Sequence, residues 1–137
     1  MKMTVTKLTM SRVHSATDYF RAKLAHETDA WDLRVMLRER NDIVIIDARS
    51  DAAYAQEHIP QAVSFPHSKM NAASTKNLDP AALYVIYCDG IGCNASTKGA
   101  LKLAELGFDV KELIGGIEWW KRDGYATEIA SVAVNVS

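Results

Sequence analysis

Two cysteines, Cys88 and Cys93, are the only thiols in this chain of 137 residues. They bracket a short loop, Cys88-Asp89-Gly90-Ile91-Gly92-Cys93-Asn94, which follows the apolar run Leu83 to Tyr87 and leads into a helical stretch from Ala95. That order puts the Cys88 thiol at the carboxyl end of a buried strand, facing the amino end of a helix. Backbone N–H groups and the helix dipole favour negative charge at such a place. Thiolate is the reactive form of cysteine, so the pattern predicts a nucleophile at Cys88. Gly90 and Gly92 let the backbone turn tightly and aim amides inward. The amides of Asp89, Gly90, Ile91, Gly92, Cys93 and Asn94 are therefore expected to form a binding cradle for an anion. Phosphatases on related folds place an arginine six positions after the cysteine, where its guanidinium clamps an oxyanion bidentately. The sixth residue after Cys88 is Asn94, and no arginine lies between Cys88 and Leu106. Phosphate and arsenate chemistry are set aside on that ground.

The elements that hold this loop can be read on either side of it. Ile43 to Asp47 is a continuous β-branched run, expected as a strand buried on both faces. Leu83 to Tyr87 is a second such strand, Val110 to Ile114 a third, and Ala62 to Phe65 a short one stopped by Pro66. Helices are predicted from Thr17-Asp18 through Leu24, from Asp29 to about Arg38, and from Ser50-Asp51 to Glu57. Two more are predicted from Ala95 to Leu106, with Ala100, Leu103, Ala104 and Leu106 inward, and from Ile117 to Arg122. His58-Ile59-Pro60-Gln61 reads as a turn, and His67 to Pro80 as an irregular polar segment. Gly107 is the expected helix stop, and Met1 to about Ser15 an extended arm. Strands alternating with helices imply a parallel sheet covered on both faces, with the reactive site beyond the strands' carboxyl ends. Asp47 and Cys88 both stand at such ends.

Composition limits the choices. The chain suits one domain with one core. A formal charge of −1 offers no electrostatic footprint for nucleic acid. No apolar run nears the ~20 residues that span a bilayer, and the first residues lack the apolar core of a secretory signal. The expected location is cytoplasmic, where two cysteines are chemical rather than structural. Two thiols are too few for a structural zinc site, and His14, His26 and His67 have no metal spacing, so no metal is expected.

Five short motifs, in order, resemble those of single-domain rhodanese-type sulfurtransferases. They are Ile46-Asp47-Ala48-Arg49, His58-Ile59-Pro60-Gln61-Ala62, Tyr87-Cys88 with its loop and helix, Gly107-Phe108, and Leu113-Ile114-Gly115-Gly116-Ile117-Glu118-Trp119. The resemblance implies an α/β, rhodanese-like fold: a central parallel sheet of about five strands flanked by helices on both faces, here with an N-terminal helical extension. Its expected boundaries are residues 1–28 for the N-terminal arm and helix, 29–127 for the domain and 128–137 for a tail. The family's chemistry implies that Cys88 takes a sulfane sulfur from thiosulfate or a persulfide, holds it as a persulfide, and passes it to a thiophilic acceptor, either a small thiol or a protein. No cofactor is implied. A homodimer through the arm, with Tyr19, Phe20 and Leu24, is the partner reading for the extension.

Two residues depart from the family pattern. Many of its members carry a basic residue in the loop; Asp89 stands here beside the nucleophile, where a carboxylate raises a thiol pKa and repels the thiosulfate dianion. Lys98 would offset part of that charge. Cys93 reads either as a resolving thiol, accepting sulfur from Cys88 or pairing with it, or as a small apolar side chain at the helix start. Asp47 and Arg49 are expected to be structural partners of each other and of the backbone. His58 is expected to stabilise its turn, Trp119 to line the core or a pocket wall, and Ser96 and Thr97 to cap the helix. Two rival functions share these residues: a binding or regulatory module on the same fold, and a thiol redox protein using Cys88 and Cys93.

Overall fold

The computed structural model describes residues 5–130, with side chains from residue 15 onward. Helix α1 (Val5–His26) leads into strand β1 (Glu27–Thr28), helix α2 (Ala30–Glu39) and strand β2 (Ile43–Asp47). Helix α3 (Asp51–Gln56), strand β3 (Val63–Ser64) and a 3-10 turn (His67–Lys69) follow. Strand β4 (Leu83–Tyr87), helix α4 (Ala95–Glu105), strand β5 (Asp109–Leu113) and helix α5 (Gly116–Arg122) complete the order. All strands pair in parallel, in the order β1-β5-β4-β2-β3.

Strand β4 lies at the middle, and all five of its residues are buried. Leu83, Val85 and Tyr87 point to one core, with Ile45, Leu33 of α2 and Ile117 and Trp120 of α5. Tyr84 and Ile86 point to the other, with Ile46 and Leu103 of α4. Each such aliphatic side chain contributes about 1.5–3 kcal/mol when taken fully from water. This is why an unbroken apolar run sits between two helical layers rather than at an edge. The register pairs Asp47 with Tyr87, so both strands end level and Cys88 emerges one residue beyond.

Local chemistry sets the helix starts. Asp29 accepts the Asp32 N–H at 2.8 Å and caps α2, and Ser50 accepts the Ala53 N–H at 3.1 Å and caps α3.

Four expectations differ from what is found. The arm expected up to about Ser15 is helical from Val5, and Thr17-Asp18 lies inside α1 rather than capping it. No glycine or proline interrupts Val5 to His26, so nothing stops propagation there; Met1 to Thr4 of the arm lie outside the described residues. Strand β1 was not foreseen, because two residues carry no periodic signal; its partner β5 creates it. On α4 the buried residues are Ser96, Gly99 and Leu103, whereas Ala104 and Leu106 are exposed. The stripe is rotated because Ser96 is drawn to the site and Gly99 packs against Met70. Gln61, where the family has glycine, takes a left-handed backbone with φ 71°. At the far end, His58 and Glu128 exchange backbone hydrogen bonds at 2.9 Å, and residues 131–137 of the expected tail lie outside the described residues. Among the described residues no helix is long and apolar enough to cross a membrane.

Candidate active site

Cys88 is fixed from behind by the start of α5. Its carbonyl accepts the Ile117 N–H at 3.1 Å, and the Asp89 carbonyl accepts the Glu118 N–H at 3.0 Å. Gly116, at φ 55°, makes this approach possible, since a Cβ there would collide with the Cys88 carbonyl oxygen.

The Cys88 side chain is almost sealed, with the residue 1% exposed. Its sulfur lies 3.2 Å from the Cys93 carbonyl oxygen, 4.0 Å from that of Gly90, and 3.3 Å from the Ser96 hydroxyl. Burial pushes the Cys88 thiol up; the Ser96 hydroxyl and N–H pull it down, while the neighbouring Cys93 side chain pushes it up again. Ser96 donates to the Glu112 carboxylate at 2.7 Å, and Thr97 donates to the same oxygen at 2.6 Å. These hydroxyls therefore serve Glu112 and not the first turn of α4. A serine has one proton: given to Glu112, it leaves Ser96 as an acceptor for the Cys88 S–H. Turned to the sulfur, it holds a thiolate.

Cys93 is half-buried. Burial opposes its ionisation, yet its pKa is lowered, because the Ala95 N–H, the Cys88 side chain and the Asp89 N–H favour its anion. The cradle expected from the amides of residues 89–94 is not what meets the Cys88 sulfur: carbonyl oxygens of Gly90 and Cys93 face it. The Asp89 N–H favours the Cys93 anion instead, and the N–H groups of Ser96, at Cys88, and Ala95, at Cys93, come from outside the expected set. Within the loop, the Cys93 N–H donates to the Gly90 carbonyl at 3.1 Å. Ile91 is 62% exposed, Gly92 is exposed, and Asn94 is the N-cap residue of α4 without a side-chain capping bond.

Asp89 turns away from the thiol, its carboxylate accepting from Arg49 Nη1 at 3.3 Å. The rise at Cys88 comes from burial, and the Asp89 charge bears on Cys93 instead. Arg49 also grips the fully buried Asp47, whose Oδ2 accepts from Nη2 at 2.8 Å and from the Tyr87 hydroxyl at 2.9 Å. Burial works against the Arg49 charge, and the Asp47 carboxylate outweighs it. Tyr87 in turn accepts the Ile59 N–H at 3.1 Å, tying the His58 turn to both strand ends. His58 donates from Nδ1 to the Tyr54 carbonyl at 2.8 Å and stacks on the Tyr54 ring, which fits the turn-stabilising role.

Beside the loop opens a cavity of about 210 Å³, lined by Cys93, Gly90, Ser96, Thr97, Glu112 and Lys23, among others. Lys23 of α1 is paired with Glu27 at 2.6 Å. Glu112, Lys23 and Glu27 were missed from sequence. Glu112 sits one β5 position before Leu113, in register with Ile86, and no local pattern marks it.

A parallel sheet with a cysteine-headed loop at the end of its central strand, backed by an Asp-x-Arg strand end, defines a rhodanese-class domain. The chain belongs to the rhodanese-like domain family, whose model matches residues 29–123. It is 38% identical over 95 residues to the thiosulfate sulfurtransferase GlpE of Coxiella burnetii, spanning 68% of this chain and 81% of that protein. The crystal structure of the BH2092 protein from Bacillus halodurans is similar at 41% identity and a TM-score of 0.79, with 85% of each chain covered. A rhodanese-like domain protein from Staphylococcus aureus follows at 26% identity and a TM-score of 0.66, covering 77% of this chain and 99% of that one. Family and relatives support sulfurtransferase activity in general.

Proposed function

We propose that this chain moves a sulfane sulfur through a persulfide on Cys88. The observation that carries the reading is the buried thiol at the end of β4, 3.3 Å from the Ser96 hydroxyl in the first turn of α4. In the loading step the Cys88 sulfur attacks the outer sulfur of a persulfide R–S–SH. A Cys88 S–S bond forms, the donor's S–S bond breaks, and the Cys88 proton leaves with the donor as RSH. The sulfur moves without change of oxidation state, so no cofactor enters the step. A thiophilic acceptor then takes the outer sulfur.

A thiol persulfide fits this site better than thiosulfate. Lys23 is already paired with Glu27, and Arg49 with Asp47 and Asp89. Glu112 adds a further carboxylate to the cavity wall. A dianion gains little there and is repelled. Intact-mass measurement after exposure to glutathione persulfide, and separately to thiosulfate, tests the reading. Wild type should gain one sulfur, faster from the persulfide, and Cys88→Ser should gain none. Undiminished gain by Cys88→Ser sinks it.

A further inference from the structure

At the other end of the sheet from Cys88, Pro60-Gln61 lead into β3 and the last turn of α2 precedes β2. A cavity of about 500 Å³ opens there, between α2 and α5. That size falls in the range of small-molecule sites. Its wall is a chain of contacts. Trp120 of α5 donates its indole N–H to the Ala126 carbonyl at 2.9 Å. Tyr125 packs edge-on to Trp120, with ring centroids 5.1 Å apart. The Arg34 guanidinium lies over the Tyr125 ring, 4.3 Å from its centroid. Arg38 stands one turn further along α2 and lines the same cavity. Residues four apart on a helix share a face, so the two guanidiniums are neighbours. Both are exposed, and among the described residues neither has an ion pair or a hydrogen bond. Gln61 also lines the cavity. The Ala62 N–H bonds back to the Ile59 carbonyl at 3.0 Å, closing a turn with Pro60 second and Gln61 third. With φ at 71°, that third position favours glycine. Gln61 bears the strain while its side-chain amide has no hydrogen-bond partner among the described residues. A strained residue with an unused polar side chain at a cavity points to a ligand.

We infer that this cavity is a second ligand site, for a small phosphate monoester with a ring-bearing body. Two guanidiniums carry two positive charges and a fork of donors each, which a phosphate dianion with three free oxygens matches. A single carboxylate balances only one of those charges. The contact with Tyr125 holds the Arg34 guanidinium in place and leaves its N–H groups free for an anion. Leu37, Pro60 and Tyr125 supply apolar surface for the ring. The Gln61 amide both donates and accepts, which suits polar atoms on that ring. No residue of the cavity wall belongs to the Cys88 loop or to the groups that meet its sulfur. The site therefore stands or falls apart from the persulfide reading.

The test titrates the full chain with phenyl phosphate and, separately, with adenosine monophosphate. Binding is followed by calorimetry and by the assigned NMR resonance of the Trp120 indole N–H. Saturable binding of either ester that shifts this resonance bears the inference out, and the tighter of the two identifies the body. Arg34→Ala and Arg38→Ala should each weaken binding by roughly tenfold or more. Arg34→Lys, which keeps the charge and loses the fork, should not restore it. Gln61→Gly should weaken binding by roughly threefold or more, even as it relieves the backbone. Circular dichroism checks that each variant is folded. Inorganic phosphate, a charge without a ring, and benzoate, a ring with one charge, should both bind more weakly than phenyl phosphate. Absence of saturable binding by both esters overturns the inference, as does full binding by the Arg34→Ala, Arg38→Ala double variant. Binding that leaves the Trp120 resonance in place lies elsewhere and overturns it too. Benzoate or inorganic phosphate binding as tightly as the esters overturns the ligand class.

Discussion

Ser96→Ala deletes one oxygen from the wall of the Cys88 site and should make that thiol harder to ionise. The hydroxyl lies 3.3 Å from the sulfur and is the side-chain donor that lowers the Cys88 pKa. A hydrogen bond to a charged group is worth about 1.5–3 kcal/mol. Its loss raises the thiol pKa, and each 1.36 kcal/mol, about one RT ln 10, is a factor of ten in the ionisation equilibrium. At a pH below both values the thiolate fraction then falls roughly 10–100-fold. The Ser96 N–H remains in place, so ionisation is hindered and not abolished. The assay is the rate of iodoacetamide alkylation against pH, in a Cys93→Ser background so that one thiol titrates. Glu112→Gln in the same background should move the curve the other way. It removes the anion that holds the Ser96 proton at 2.7 Å and frees that proton for the sulfur. Superimposable profiles for Ser96→Ala and its parent, or shifts of the same sign in both variants, would refute the reasoning. Thermal unfolding of each variant confirms that the comparison is between folded proteins.

Asp47→Asn leaves the Arg49 guanidinium, its side chain 10% exposed, without its buried counter-charge and should destabilise the fold by about 3–5 kcal/mol in urea unfolding; a loss below about 1 kcal/mol would place the balancing charge elsewhere. Gln61→Gly relieves a left-handed non-glycine backbone costing about 1–2 kcal/mol and returns about 0.4–1 of it as chain entropy. Calorimetry should show a gain of about 0.5–1 kcal/mol, and a lower Tm would show that the Gln61 side chain matters more than its backbone. The two thiols should tilt stability at alkaline pH in opposite directions. Cys88 is raised in the folded state, so its contribution is present below the ordinary thiol range and lost as pH rises through the folded value. Cys93 is lowered, so its contribution is present above that range and lost as pH falls through the folded value. Cys88→Ser should therefore flatten the alkaline decline in urea-derived stability and Cys93→Ser should steepen it; the same sign for both would contradict the assignment.

The sheet was legible because its strands are written locally. Ile43 to Asp47 and Leu83 to Tyr87 are apolar on both faces, and only a parallel sheet between helical layers buries both faces at once. The order of helices and strands, the Gly115-Gly116 turn and the address of Cys88 followed from the same short-range signals. Strand β1 did not, because its two residues become a strand only through β5. The inward face of α4 was misread by a rotation, because Ser96 and Gly99 turn inward to meet partners on β5 and at Met70.

What the sequence determined by itself is the position of a thiol: the end of a buried strand, before a glycine-bearing loop and a helix. That follows from side-chain period, apolar runs and glycine, all properties of near neighbours along the chain. What only the tertiary structure decided is the state of that thiol and of its neighbour. Asp89 stands next to Cys88 in sequence yet answers to Arg49, forty positions earlier. Glu112, sixteen positions after Ser96, governs the hydroxyl that faces the sulfur. The amides of Asp89 and Ala95 hold Cys93. Charge and hydrogen bonding act through space over a few ångströms, and the fold, not the order of residues, sets which groups stand within that reach.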